Sequence, residues 1–212
     1  MDYATGTTST VYVIDDDDAV RAAVLNLLRA EGLDARGYAT GAAFVAQARA
    51  DAPSCLVCDI DMPAPDGLQL AAELARLQQD IPIIFMTGIG TIALSVRAMK
   101  AGAVEFLTKP VDPELLLAAV REALALATAS LAARRELAAL RLCHASLSPR
   151  EAETLQLVIG GLLNKQVAAE LGVSEIMAKT HKRKVMAKMG ARSLPDLVRA
   201  AGRLGIEKTR SR

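Results

Sequence analysis

Five short apolar runs, each followed by an amphipathic stretch, fill about the first 125 residues and leave few ways to fold them. The runs are VYVID from Val11, a weaker LDARGYA from Leu33, CLVCDI from Cys55, IPIIFMT from Ile81 and AVEFLT from Ala103. Helical spacing appears at about 18–31, 40–49, 67–78 and 91–101, and a fifth helix opens at Asp112. Strands that alternate with helices imply an α/β fold: a five-stranded parallel sheet covered on both faces. Right-handed crossovers wind such a sheet doubly, and ligands bind beyond the carboxyl ends of its strands.

The helix at VDPELLLAAV has Asp112 as its N-cap, Pro113 at its first position and then Glu114. Its Ala/Leu pattern meets no Gly or Pro until Pro149, so one long helix, or a helix and helical linker, is expected. Leu117, Leu124 and Leu131 repeat every seven residues, but the partner positions drift to Ala127 and Arg134, which argues against a sustained coiled coil. From Ser146 the pattern is all helical. SPRE, Ser148 to Glu151, is a capping box; NKQVAAEL follows, Gly172 turns the chain, and Ser174 caps SEIMAKTHKRKVMAKM before a last helix, LPDLVRAAGRL. The expected organisation is a domain at 10–125, a helical linker at 126–145 and a four-helix domain at 146–206.

Charge divides the chain in the same way. Ser146–Arg212 holds 13 Lys+Arg against 6 Asp+Glu, a net +7, while the remainder holds 12 against 18, a net −6. The basic half is a candidate for nucleic acid. No apolar run is read as long enough to span a membrane, and MDYATGTTST lacks the regions of a signal peptide, so a short disordered tail and a cytoplasmic protein are expected. EKTRSR is expected to be a frayed basic tail. Hydrophobic residues make up 52% of the chain but aromatics only 3%, so the cores must be Ala, Leu, Val and Ile. Cys55 and Cys58 form a C-x-x-C, yet they sit in a buried-strand pattern rather than at the exposed helix start that a reactive thiol needs. With Cys143 they make an odd three, which is no disulfide framework.

Chemistry gathers where the sheet rule puts it. Asp15 and Asp16 close the first strand, Asp59 the third and Thr87 the fourth, and Lys109 follows the fifth. Clustered carboxylates repel by about 4 kcal/mol per pair at 4 Å for an effective dielectric near 20. A divalent ion relieves that repulsion, and Mg²⁺ takes one or two carboxylates together with waters and phosphate oxygens. Asp59 can then accept a phosphoryl group whose oxygens meet a hydroxyl and an ammonium. Of the four consecutive aspartates, Asp15 and Asp16 are read as the metal pair, Asp18 as the N-cap of the next helix, and Asp17 as a solvated bystander.

These residues resemble a response-regulator receiver domain, of flavodoxin-like fold, over about residues 10–125. The resemblance implies that Asp59 is the phosphoacceptor, Thr87 the switch hydroxyl and Phe106 the aromatic switch residue. It also implies a cis bond between Lys109 and Pro110. DIDMPAPDG resembles the loop D-x-x-M-P-x-x-D-G, which makes the backbone carbonyl of Asp61 a third protein ligand to Mg²⁺ beside the acids. Pro65 and Gly88 depart mildly, standing where Met and Ala are common. A haloacid dehalogenase-type aspartyl phosphatase is a rival through the D-x-D of Asp59 and Asp61, but there the nucleophile precedes the metal-binding acids, and here the order is reversed.

GLLNKQVAAELGVSEIMAKTHKRKVMAKMGA fits a helix-turn-helix whose second helix could enter the major groove. Ala178, Val185 and Met189 fall on one face, and Lys179, Lys182 and Arg183 on the other. Residues 146–206 resemble the LuxR/FixJ-type DNA-binding domain. By that resemblance Lys179, Thr180 and Arg183 face bases, with Lys182 near the groove, and Asn164, Lys165, Ser174, His181 and Lys188 meet phosphates. Met177 and Ala178 replace the usual Thr and Val. Together the halves resemble a two-component response regulator of the FixJ/NarL kind, not a conventional enzyme. The resemblance implies a histidine kinase partner, promoter DNA, a homodimer on phosphorylation and contact with RNA polymerase. The alternative is a phosphorylation-gated protein-interaction module without DNA binding.

Overall fold

A computed structural model describes residues 9–47 and 51–207. The expectations for the N-terminal tail up to residue 8, for 48–50 of the second helix and for 208–212 of the basic tail lie outside the described residues. The chain divides into two compact units, Met1–Leu131 and Ala132–Arg212.

In the first unit β1 (Thr10–Ile14), β2 (Asp34–Tyr38), β3 (Ser54–Asp59), β4 (Ile83–Thr87) and β5 (Glu105–Thr108) form one parallel sheet of order β2-β1-β3-β4-β5. The strands read as near-continuous apolar runs because both faces are covered. Val11, Val13, Val57, Ile84 and Met86 point to one face and meet Val24 and Leu28 of α1 (Asp18–Ala30) and Leu116, Ala119, Val120 and Ala123 of α5 (Pro113–Ala145). Tyr12, Ile14, Leu56, Ile83 and Phe85 point to the other. There they meet Phe44 of α2 (Gly41–Val45), Leu70, Ala71 and Leu74 of α3 (Gly67–Arg76) and Ala98 of α4 (Ile92–Lys100). Alternation along a strand thus assigns each side chain to a core.

The same alternation disposes of the C-x-x-C. Cys55 belongs to the α1/α5 core and Cys58 to the opposite one, so the sheet itself separates the thiols. Burial pushes the Cys55 thiol up to about 12 and raises Cys58 further. Both are packing residues.

α5 opens as expected: Asp112 Oδ1 accepts from the backbone N–H of Glu114 and of Leu115 at 2.8 and 3.1 Å. It is one unbroken helix of 33 residues. By length and composition it is apolar enough to cross a membrane, which corrects the expectation that no run reaches that length. Its apolarity has another cause here, since Leu117 and Leu124 pack against the α1/α5 core and Leu131 is buried. The heptad is a core stripe.

The second unit adds α6 (Pro149–Ile159), α7 (Asn164–Leu171), α8 (Glu175–Lys188) and α9 (Leu194–Arg203) around Leu155, Val158, Val167, Leu171, Val185 and Leu197. Gly172 caps α7 at φ 65°, a left-handed conformation that glycine adopts without steric cost, and so permits the tight turn into α8. Ala178, Val185 and Met189 are buried as the spacing required. The capping box of α6 forms, with Ser148 N–H donating to Glu151 Oε2 at 2.8 Å and Glu151 N–H to Ser148 Oγ at 3.3 Å. Glu151 Oε2 also accepts from Lys188 Nζ at 2.6 Å, and Lys188 donates to the Ser146 carbonyl at 2.9 Å. One carboxylate therefore starts α6 and holds the last turn of α8, with each charge at the helix end that its dipole favours.

The Lys188 and Ser148 hydrogen bonds hold Glu151 down to about 2, from an ordinary 4.5. A depressed carboxylate stabilises the fold above its unfolded value and loses that contribution as the pH falls towards its folded one. Glu151→Gln should therefore lower the melting temperature of the second unit at pH 7, and the gap to wild type should close between pH 4.5 and 2. Thermal melts of both proteins across that range measure it.

Candidate functional site

Because β1, β3, β4 and β5 run parallel, their carboxyl ends share one rim, and the chain's polar strand-end residues meet there. Lys109 Nζ bridges Asp15 Oδ2 and Asp59 Oδ2, 2.8 Å from each. Asp15 is fully buried and Asp59 nearly so. Asp59 Oδ1 accepts from the Asp61 N–H at 3.1 Å, and Asp15 Oδ1 from the Asp17 N–H at 3.0 Å. Burial raises the Asp15 carboxyl despite the Lys109 and Asp17 hydrogen bonds that act against it. Burial also works against the Lys109 charge, but Asp15 and Asp59 outweigh it and raise the ammonium. The lysine stays charged.

Ligand oxygens of Asp15, Asp16 and Asp59 lie within 4.8 Å of one another. Three carboxylates against one ammonium leave a formal charge of −2 on an all-oxygen donor set, and Asp16 is exposed to solvent. Hard oxygen ligands with room for water suit Mg²⁺, so the residues present fit that ion.

The roles read for Asp17 and Asp18 are exchanged. Asp17 is the N-cap, extended at φ −78° and ψ 112°, and its Oδ1 accepts from Ala19 and Val20 N–H at 2.8 and 3.1 Å. Those bonds hold its carboxyl below the ordinary range. Asp18 is the first helical residue and pairs with Arg21, whose Nη1 also donates to the Asp15 carbonyl at 2.6 Å. Asp15 decides the matter: by taking the Asp17 N–H it starts the turn one residue earlier than sequence alone suggested.

Thr87 is fully buried at the end of β4, and Phe106 is half-buried against the α2–α4 core. The Thr87 hydroxyl donates to the Asp61 side chain, Oδ2, at 2.7 Å, and the same oxygen accepts from Gly88 N–H at 2.8 Å. Sequence reasoning gave Asp61 only a backbone role. The DIDMPAPDG loop closes on Gly67, where a Cβ would lie 2.4 Å from the Asp59 carbonyl and 3.0 Å from Ile60 Cα. Asp66 caps α3 through the Gln69 N–H at 2.7 Å. Glycine lets α3 start against the backbone of Asp59. The Lys109–Pro110 bond is cis.

In the second unit Asn164, Lys179, Thr180, Lys182 and Arg183 line one groove of about 510 Å³. Ile176 and Met186 line it too, and sequence reasoning missed both. Lys179, Thr180 and Arg183 are exposed, and Lys182 and Asn164 half-buried. Thr180 donates its hydroxyl to the Ile176 carbonyl at 2.9 Å. Lys165, Ser174, His181 and Lys188 are not among the groove's lining. Lys165 and Ser174 are exposed, and Ser174 caps α8 through the Met177 N–H at 3.3 Å. His181 is half-buried and its Nδ1 has no hydrogen-bond partner. Lys188 is engaged by Glu151.

Residues 11–121 match the response regulator receiver domain family, and residues 145–201 match the bacterial regulatory proteins of the luxR family. Nodulation protein W of Bradyrhizobium diazoefficiens is 45% identical over 200 residues, covering 94% of this chain and 88% of that protein. Transcriptional regulatory protein FixJ of Azorhizobium caulinodans is 40% identical over 198 residues, covering 92% of this chain and 93% of that one. Among solved structures, response regulator StyR matches with a TM-score of 0.83 at 40% identity, over 92% of this chain and 98% of that one. Full-length FixJ from B. japonicum matches with a TM-score of 0.54 at 36% identity, over 94% and 98%.

Gly67→Ala should cost about 1–3 kcal/mol, the scale of an overpacked site, because the new methyl meets backbone rather than a yielding side chain. Chemical denaturation of the variant checks this, and a change below about 0.5 kcal/mol would contradict the close approach.

Proposed function

This chain belongs to the two-component response regulators with a luxR-type DNA-binding domain, and from that we propose that Asp59 is the phosphoacceptor through which its DNA binding is controlled. Such proteins are transcription factors, not conventional enzymes. The observation that carries the reading is the Lys109 bridge, which aims one ammonium at the most buried pair of carboxylates on the rim.

The donor is a histidine kinase. An Asp59 oxygen forms a bond to the phosphorus of its phosphohistidine as the phosphorus–nitrogen bond breaks and the imidazole leaves. Lys109 holds Asp59 in place and offers its charge to the incoming phosphoryl oxygens. Asp15, Asp16, Asp59 and the Asp61 carbonyl would hold Mg²⁺, which would supply positive charge to offset that of the phosphoryl group. Thr87 and Phe106 are the switch pair, and their rearrangement shifts a pre-existing equilibrium. On α4 the exposed Ile92, Val96 and Met99 recur at i, i+4 and i+7, an apolar stripe suited to a second copy of the chain. Two copies would present two recognition helices to two half-sites of a promoter.

In the DNA-binding half Lys179, Thr180 and Arg183 read bases, with Lys182 beside them. Asn164, Lys165, Ser174, His181 and Lys188 meet phosphates, which position the helix without specifying sequence. For Lys188 that role is shared with its hold on Glu151. The protein works in the cytoplasm, where kinase, promoter and RNA polymerase are within reach. Domain bounds of 10–125, 126–145 and 146–206 serve this division of labour.

Incubated with Mg²⁺ and acetyl phosphate, the wild type should gain one phosphoryl mass and Asp59→Asn none. Equal labelling of both removes Asp59 from the role. Lys179→Ala or Arg183→Ala should each weaken binding to a specific site by about 1–3 kcal/mol. Unchanged affinity in both, together with no loss of binding as salt rises, would favour a protein-interaction module instead. Ile92→Glu should label normally yet stay monomeric by size-exclusion chromatography after phosphorylation.

A further inference from the structure

We propose that the Asp61 side chain competes with the phosphoryl group for the Thr87 hydroxyl and the Gly88 amide, and so acts as a latch on the switch. The proposal rests on Asp59 being the phosphoacceptor. A threonine hydroxyl has one proton, and here Asp61 Oδ2 has it, at 2.7 Å. The hydroxyl oxygen also accepts from the Ile89 N–H at 3.1 Å, so both of its functions are engaged. Gly88 N–H, the neighbouring donor, is bound to the same Asp61 oxygen at 2.8 Å. A phosphoryl oxygen on Asp59 obtains either donor only by displacing Asp61.

Charge sharpens the competition. Asp61 is two residues from Asp59 and already donates its N–H to Asp59 Oδ1 at 3.1 Å. Phosphorylation turns the singly charged Asp59 carboxylate into an acyl phosphate with close to two negative charges, a gain of about one, and a carboxylate beside it is repelled. Asp61 therefore stabilises the unphosphorylated arrangement twice, by holding Thr87 and by opposing the charge that would replace it. Release also reaches further. Turning Thr87 away frees the Ile89 N–H in the loop before α4, the helix that bears the apolar stripe. The position is thus a positioning residue that acts through Thr87 and Gly88. It sets how much phosphorylation is needed before the α4 surface responds.

The test compares wild type, Asp61→Ala, Asp61→Asn and Asp59→Asn in the full chain, with acetyl phosphate and Mg²⁺. In each labelling event an Asp59 oxygen bonds to phosphorus and acetate leaves. Asp61→Ala should label about tenfold faster, the scale of one charge-assisted hydrogen bond, with Asp61→Asn between it and wild type. Asn keeps an acceptor oxygen and loses the charge, so it serves if Asp61→Ala folds poorly. The amide resonances of Gly88 and Ile89 supply a readout that general destabilisation would not move in the same way. In unphosphorylated Asp61→Ala the Gly88 resonance should move away from its position in unphosphorylated wild type, because its acceptor is gone. Wild-type labelling rates in both Asp61 variants, or a Gly88 resonance indifferent to Asp61→Ala, overturn the latch alone if Asp59→Asn stays unlabelled. Labelling that persists in Asp59→Asn overturns the phosphoacceptor assignment, and the latch with it.

Discussion

Lys109 Nζ stands 2.8 Å from a carboxylate at the end of β1 and another at the end of β3, and both of those carboxylates are buried. Two acids cannot share so dry a place without a counter-charge, and a surface residue could not supply it from solvent. The lysine comes from just past β5, so the bridge ties the first, third and fifth strands at the rim. The parallel direction of the strands brings those three ends to one side, and the order β2-β1-β3-β4-β5 sets β1 beside β3. The site and the sheet therefore specify each other. Around the bridge, each further hydrogen bond has a definite place: Asp17 N–H on Asp15, Asp61 N–H on Asp59, and Arg21 on the Asp15 carbonyl.

The second unit uses the same economy at smaller scale. Glu151 closes the capping box of α6 and takes the charge of Lys188 at the end of α8. With that helix fixed at its last turn and by Ala178, Val185 and Met189 below, its outer face is free to carry cations. Lys179, Lys182 and Arg183 lie on that face beside Asn164 of α7. A charged surface needs such an anchor, because the charges repel one another and contribute nothing to packing. Ile176 at the start of α8 is 80% exposed and lines the same groove, as Met186 does.

Much of this was legible in the residues. Strand ends could be placed because apolar runs stop where Asp15, Asp59 and Thr87 begin, and helix starts because Asp112, Ser148 and Ser174 are competent caps. The misreadings have one physical origin. Asp17 and Asp18 are equally good caps by residue type, and what chose between them was Asp15 taking the Asp17 N–H. The seven-residue repeat of α5, whose drift argued against a sustained coiled coil, is the stripe of a helix lying on a sheet. Asp61 carried a backbone role in sequence because its side-chain partner is 26 residues away, on another strand.

The sequence by itself determined the elements, the two-part organisation and the residue types at the strand ends, since backbone periodicity and capping are local properties. It indicated that Cys55 and Cys58 are packing residues, because they lie in a buried-strand pattern rather than at the exposed helix start that a reactive thiol needs. Tertiary structure alone decided the pairings: Lys109 with Asp15 and Asp59, Thr87 with Asp61, Lys188 with Glu151. A side chain of given chemistry has many possible partners along a chain. Which one it meets depends on how distant elements pack, and no local pattern carries that information.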